Sequence, residues 1–297
     1  MLVLRISLGL VLLACYAMRL AYVPELYGPE GFAGPAYTAP LELERPLSRN
    51  LLAPFYVLQH VNSPTLVGTL YALLLASSLA FAAGAFTRWS GSAALLLHLT
   101  FYARNPWAYW GWAEIITPLL LYTILAPSGR QLSFDAWRRR RRSGEPAAPV
   151  AAWSGPAWPL RLVQIHVCTQ YLALWPRLDS PNWLEGRQLF AALVNRHFGR
   201  LEFDAMPYLA LLEVMTVVAL LLELAAPLLL WVPRVGPLWA LALIGLHLQI
   251  ELSSTVGWWN WALIPALTAF LPAAWLVRAF SLLPTQRPTR SRSAAPG

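Results

Sequence analysis

The chain has 297 residues, and 58% of them are hydrophobic, against roughly 45–50% in ordinary soluble domains. Charged residues make up 12%, about half the usual ~25%. This composition excludes a disordered chain and argues against a soluble globular enzyme. It suits a protein that uses lipid as a solvent. The net charge is +8, and all 22 basic residues are Arg. No lysine amine is present to serve as base, nucleophile or Schiff-base former. Fifteen Trp and 25 Pro fit interfacial belts and broken membrane helices.

The first apolar run covers 2–23, with Arg5 near one membrane face and Arg19 near the other. Arg19 and the missing small-residue cleavage site argue against a signal peptide. Residues 24–50 are a Pro- and Gly-containing loop at the membrane surface. The run 51–61 is too short to span and predicts an interfacial or re-entrant segment. Further apolar runs follow at 64–86, 91–103, 113–126, 159–175, 207–232, 236–252 and 258–280. The expected fold is therefore an all-α polytopic membrane helical bundle of about eight transmembrane helices, with seven as the nearest alternative. The stretch 183–200 carries an apolar stripe of Leu189, Phe190, Leu193, Val194 and Phe198. It predicts an added interfacial helix, a lid at the membrane surface.

Charge sets the expected orientation. The 138–142 arginine run and Arg287, Arg290 and Arg292 belong on the cytoplasmic side, together with both termini. The run reads as a membrane flank, so no nucleic-acid partner is expected. One transmembrane domain covers 1–284 with an Arg-rich loop at 130–158, and a disordered basic tail covers 285–297. Cys15 and Cys168 lie in apolar runs and read as buried free thiols, and no metal-ligand spacing is present.

Ionisable groups at membrane depth are functional candidates by default. Four acids qualify (Glu114, Glu213, Glu223 and Glu251), as do His98, His166 and His247. Ile244, His247, Glu251 and Ser254 share one helical face. His166, Gln170 and Arg177 fall in one stripe of another helix. Such stripes must face protein or a water-filled cavity, so a cavity between the fifth and seventh spans is expected. The alternative is that these groups only pair with one another and hold helices together.

Several ordered motifs resemble the horizontally transferred transmembrane (HTTM) family, relatives of the vitamin K-dependent gamma-carboxylase. They are Arg5-Ile6-Ser7-Leu8-Gly9-Leu10, Arg104-Asn105-Pro106, and Ala126-Pro127-Ser128-Gly129-Arg130 with Ser133-Phe134-Asp135-Ala136. Tyr171 with Arg177-Leu178-Asp179, Trp183 and Glu185-Gly186 also fits. So do Glu223-Leu224-Ala225-Ala226-Pro227 and the His247 helix closing in Phe270-Leu271-Pro272. The resemblance implies a helical bundle with a central cavity able to hold a quinone-like or lipid-like molecule. Arg177, Gln170, Trp183 and Tyr171 are the candidate ligand-binding residues. Its departures matter. The carboxylase base is a Lys where this chain has Arg177, and Arg stays protonated. A carboxylase His falls where this chain has Trp112, Ala113 and Glu114. No large soluble substrate-capturing domain follows the last span. Glutamate carboxylation is therefore not expected.

Two functions follow from these readings. The first is a non-catalytic subunit or maturation component of a membrane complex, with the bilayer and a protein partner as its contacts. The second is a membrane enzyme acting on a quinone- or lipid-type molecule. In that reading His247, Glu251, His166, Glu223 and Glu114 handle protons, and Arg177 stabilises an anion.

Overall fold

The computed structural model describes residues 1–32, 55, 58, 61, 63–109, 111–144, 156–201, 204–255 and 257–281. Among them the architecture is all-helical, with a single isolated bridge between Gly199 and Ser254. The expected re-entrant segment at 51–61, most of the 24–50 loop, the 145–155 link and the 285–297 tail fall mainly or wholly outside the described residues.

Helix α1 is Leu2–Ala17, followed by short α2, Val23–Tyr27. Then come α3 Pro64–Ala83, α4 Thr87–Arg104, α5 Trp112–Leu125 and α6 Phe134–Ser143. After the link come α7 Trp158–Leu172, short α8 Pro181–Leu184 and α9 Gln188–Val194. The last four are α10 Leu209–Leu229, α11 Val235–Ser253, α12 Trp259–Leu267 and α13 Ala273–Ser281.

Local chemistry explains the boundaries. Ser63 caps α3 through the Leu66 amide, Pro64 opens its first turn, and Gly84 at φ 70° closes it. Ser133 caps α6 through the Ala136 amide and donates to the Gly129 carbonyl. Asp135, on α6, caps a different helix. It accepts from the amides of Phe86 and Thr87 and from the Thr87 hydroxyl, so it satisfies the start of α4.

The long helices alternate in direction. Arg5 reaches the Leu132 carbonyl beside Gly84 at one end, while Tyr16 lies against Tyr71 toward the other, so α1 and α3 are antiparallel. His98 on α4 meets Thr117 on α5, and Gly91 sits beside Ile124. Helix α12 packs against α1, α5, α7 and α11 and occupies the centre of the bundle. The core runs through Leu8, Leu12, Leu74, Ile116, Leu119 and Val163. The N-terminus, α6 and α13 gather at one end, which we call the basic end, and residues 173–201 lie at the other.

Three helical segments are long and apolar enough to cross a membrane: Pro64–Ala83, Met206–Leu229 and Val235–Ser253. Two further pairs qualify only as bent units: Leu2–Ala17 with Leu20–Tyr27 at 49°, and Trp259–Phe270 with Ala273–Phe280 at 114°. The expected continuous helices over 2–23 and 258–280 are thus broken. The second breaks at Leu271 and Pro272, where the missing proline N–H and the restricted preceding residue end the helix. Helix α5 has 14 residues and α7 has 15, which rise only about 21–23 Å at 1.5 Å per residue. The structure supports three to five membrane-crossing units by length and composition.

The expected interfacial lid is also shorter than its apolar stripe suggested. Helix α9 has seven residues and packs Leu189 and Leu193 against Leu212 of α10. After Asn195 the chain turns and is tied to the end of α11 by Arg200 N–H to Ser253 and Thr255 N–H to Phe198. Those bonds fix Phe198 outside the helix.

Candidate functional site

The buried polar groups on α7, α11 and α12 form one connected chain. Helix α11 places His247 and Glu251 one turn apart. Helix α12 contributes Asn260, and Tyr171 enters from the end of α7. The Tyr171 hydroxyl lies 2.7 Å from His247 Nε2. His247 Nδ1 lies 2.9 Å from Asn260 Oδ1. Asn260 Nδ2 donates to Glu251 Oε2 at 3.1 Å, and Arg200 donates to Glu251 Oε1 at 3.0 Å.

The donor directions follow from that order. A carboxylate only accepts, so the Asn260 amide nitrogen faces Glu251 and its oxygen faces His247. His247 Nδ1–H then donates to Asn260. In the neutral ring Nε2 accepts the Tyr171 hydroxyl proton. The chain runs from Arg200, whose side chain is 46% exposed, to Tyr171 at 1%. It therefore orients the His247 imidazole deep in the bundle from a charge at its edge.

A second element adjoins it. The turn Trp175–Asp179 carries Arg177 back against Glu223 of α10, and the two form an ion pair. The Arg177 guanidinium also stacks over Trp183 at 4.1 Å. Glu185 and Asp179, the neighbours in sequence, are not its partners; Glu185 pairs with Arg187 instead. Pro176 in the turn ends the α7 register, and the chain can then direct Arg177 inward.

His247, Glu251, Tyr171, Arg177, Glu223 and Trp183 are thus brought into one region. Three expected site residues are elsewhere. His166 lies beside Tyr122 of α5. Glu114 stands exposed in the first turn of α5. Gln170 is half-buried on α7. The expected stripe of His166, Gln170 and Arg177 does not form a shared site, because the helix ends at Leu172 and Arg177 leaves its face. Glu213 packs its backbone against Gly186.

The sequence reading missed Asn260, which joins the two acid–base residues. It also missed a buried aromatic cluster around His98. Tyr16 bonds both His98 Nδ1 at 2.8 Å and Tyr109 at 2.9 Å, and Tyr109 bonds Tyr27 at 3.0 Å. Thr117 meets His98 Nε2 at 3.1 Å. Arg19 covers the Tyr109 and Trp112 rings and donates to the Ala108 carbonyl. An Asn within an apolar run was the available signal for Asn260. The tyrosines come from separate elements and leave no periodic trace.

Among the described residues no group of three or more His, Cys, Asp or Glu side chains is placed to hold a metal ion. Cys15 and Cys168 are buried and free. The fold and site define a protein that is all-helical among the described residues, with helices long and apolar enough to cross a membrane and an oriented polar chain in its interior. No protein-family model, curated protein or solved structure matches it.

Proposed function

We propose that this chain is an HTTM-like integral membrane protein of eight crossings, with both termini on the cytoplasmic side, lying in a bacterial inner membrane. Its Tyr171 and His247 exchange a proton with a quinone- or lipid-type molecule. The observation that carries the reading is the ordered chain Tyr171–His247–Asn260–Glu251, which assigns the His247 tautomer. A bare Nε2 facing a tyrosine hydroxyl is an acid–base pair held ready in a low-dielectric interior. Arg177, stacked on Trp183 and paired with Glu223, supplies a cation beside it for an oxygen anion. Arg177 is not a base, so glutamate carboxylation is not part of the proposal. Eight alternating helices, of which the shorter ones are bracketed by aromatic and turn segments, support the eight-crossing topology.

The test is chemical. The full chain is purified in mild detergent and its organic extract analysed by mass spectrometry. The expected result is a hydrophobic protic molecule at near one per chain, lost in Tyr171→Phe and His247→Gln while both variants remain monodisperse. Equal retention in wild type and variants, or no such molecule in any of them, overturns the reading. A second reading, a non-catalytic subunit of a membrane complex, is favoured by one feature. Each link from Tyr171 to Arg200 already has a partner, which suits a purely structural network. Under that reading a protein co-purifies in stoichiometric amount and the small molecule does not.

A further inference from the structure

An apolar cavity of about 170 Å³ opens at the basic end of the bundle. It is lined by Leu4, Leu160, Leu271, Leu276, Val277 and Phe280, together with Ser128, Arg130 and Gln131. Two features distinguish it from a packing gap. Ser128 lines it, and its hydroxyl is buried with no hydrogen-bond partner among the described residues, an arrangement native proteins seldom leave unfilled. Arg130 also lines a second, open recess with Arg139, Arg140 and Arg142. An apolar slot and an arginine cluster therefore meet at one side chain.

The surrounding elements are built to hold that junction. Arg139 donates to the carbonyls of Gly129 and Arg130 at 3.4 and 3.2 Å, so the arginine helix is tied to the loop that carries Arg130. Helix α13 turns 114° from the preceding span. It presents Leu276, Val277 and Phe280 to the cavity, while Trp275 and Arg278 are exposed. A short helix with one apolar face, set across the end of a bundle, lies along a membrane surface.

We infer that this junction is a binding site for one anionic phospholipid. An acyl chain enters the apolar cavity between α1, α7 and α13. The phosphate sits at Arg130, within reach of the arginines of α6, and Ser128 supplies a hydroxyl at the cavity wall. Neither half suffices alone. A free phosphate has no use for the apolar slot, and a neutral lipid has none for the arginines. The inference rests on the membrane reading of the chain and is independent of the pair formed by Tyr171 and His247.

Native mass spectrometry of the full chain in detergent micelles tests it. The probes are long-chain phosphatidylglycerol, long-chain phosphatidylcholine, short-chain dibutanoyl phosphatidylglycerol and inorganic phosphate. Long-chain phosphatidylglycerol is expected to be retained above the other three. Each arginine near an anionic lipid surface contributes about a fivefold change in affinity. Arg130→Gln should therefore weaken phosphatidylglycerol about fivefold, and Arg139→Gln with Arg142→Gln should weaken it further. Arg187→Gln, at the opposite end, should leave it unchanged. Arg130 is exposed, so its substitution leaves the fold intact. The inference is overturned if phosphatidylcholine or the short-chain lipid binds as well as long-chain phosphatidylglycerol. Displacement by equimolar inorganic phosphate, or full retention in Arg130→Gln, overturns it too.

Discussion

A buried acid with a single cation is the most exposed point of this molecule's stability. Glu223 is almost fully buried against Arg177, with side-chain exposures of 7% and 21%. Removing the arginine strands the carboxylate, which costs about 3–5 kcal/mol in buried pairs. Arg177→Gln should therefore lower the unfolding temperature in a fixed detergent sharply. Arg177→Gln with Glu223→Gln should recover much of the loss, because no uncompensated charge remains. An equal loss in the single and double variants would show that the pair is not the source. Had Arg177 paired with exposed Glu185 or Asp179, its neighbours in sequence, the loss would be at most about 1 kcal/mol. Asn260 likewise satisfies two buried groups. Asn260→Leu leaves His247 Nδ1 and one Glu251 oxygen unpaired, at about 1–3 kcal/mol for each buried group. The same substitution frees His247 to change tautomer. The phenol of Tyr171 should then lose its fixed acceptor, visible as a shift of the His247 ring signals in nitrogen NMR. His247 and Glu251 were legible in the sequence because both lie on one helix at a four-residue spacing. Asn260 and Arg200 were not, since helix packing and the turn after Asn195 bring them in from outside that helix.

At the scale of elements, three helices are joined at the basic end by one short loop system. Gly84 closes α3 in the left-handed region, and a Cβ there would strike the Arg5 guanidinium and the Ser133 side chain. Gly84→Ala combines positive-φ strain with overpacking, and should cost about 1–3 kcal/mol. Asp135 then begins α4 from across the loop. Burial alone would raise its pKa. The Thr87 amide and hydroxyl, the Phe86 amide and Arg139 outweigh that and hold the carboxyl below the usual aspartate range. The folded state therefore binds the proton less tightly than the unfolded chain. This stabilisation is present above the ordinary aspartate pKa and is lost as pH falls through the depressed folded value. Asp135→Ala should cost about 1 kcal/mol at neutral pH, as losing a cap does. The gap to wild type should narrow below the ordinary aspartate range. A gap that stays constant down to strongly acidic pH would show that Asp135 does not act through its charge. Sequence patterning located the helices because apolar runs are strong signals. It overran their ends at Ala17 and Phe270, because continued apolarity does not reveal a turn that tertiary packing or a Leu-Pro step imposes.

At the scale of the molecule, the two ends of the bundle differ in how they treat arginine. The basic end holds Arg88, Arg130, the 138–142 run, Arg161, Arg234 and Arg278, with Asp135 as its acid among the described residues. At the other end Arg177, Arg187 and Arg200 each pair with a glutamate. There Arg104 is enclosed by the carbonyls of Leu58 and Gly28, and Arg19 lies over aromatic rings. Arginines retained near short membrane loops set orientation, and the side carrying the larger share faces the cytoplasm. The alternation of helix directions ties that choice to the remaining loops. If the basic end is cytoplasmic, then reporters fused after Arg142 and within 145–155 should give the cytoplasmic phenotype. Reporters within the 195–204 segment should give the external one. The two outcomes are coupled, because α7 alone separates the 145–155 link from the segment after it. A cytoplasmic signal at both positions would mean that α7, at 15 residues, enters and leaves by the same face. That result would refute the eight-crossing topology while leaving the packed bundle intact. Charge offers an independent check on the same point. Replacing all five arginines of the 138–142 run by glutamine removes the strongest orienting signal. It should yield a mixed population in which a cysteine placed after Arg142 becomes partly accessible to a membrane-impermeant thiol reagent from outside. Unchanged protection would show that orientation is set by the other arginines or by the packing of the bundle itself.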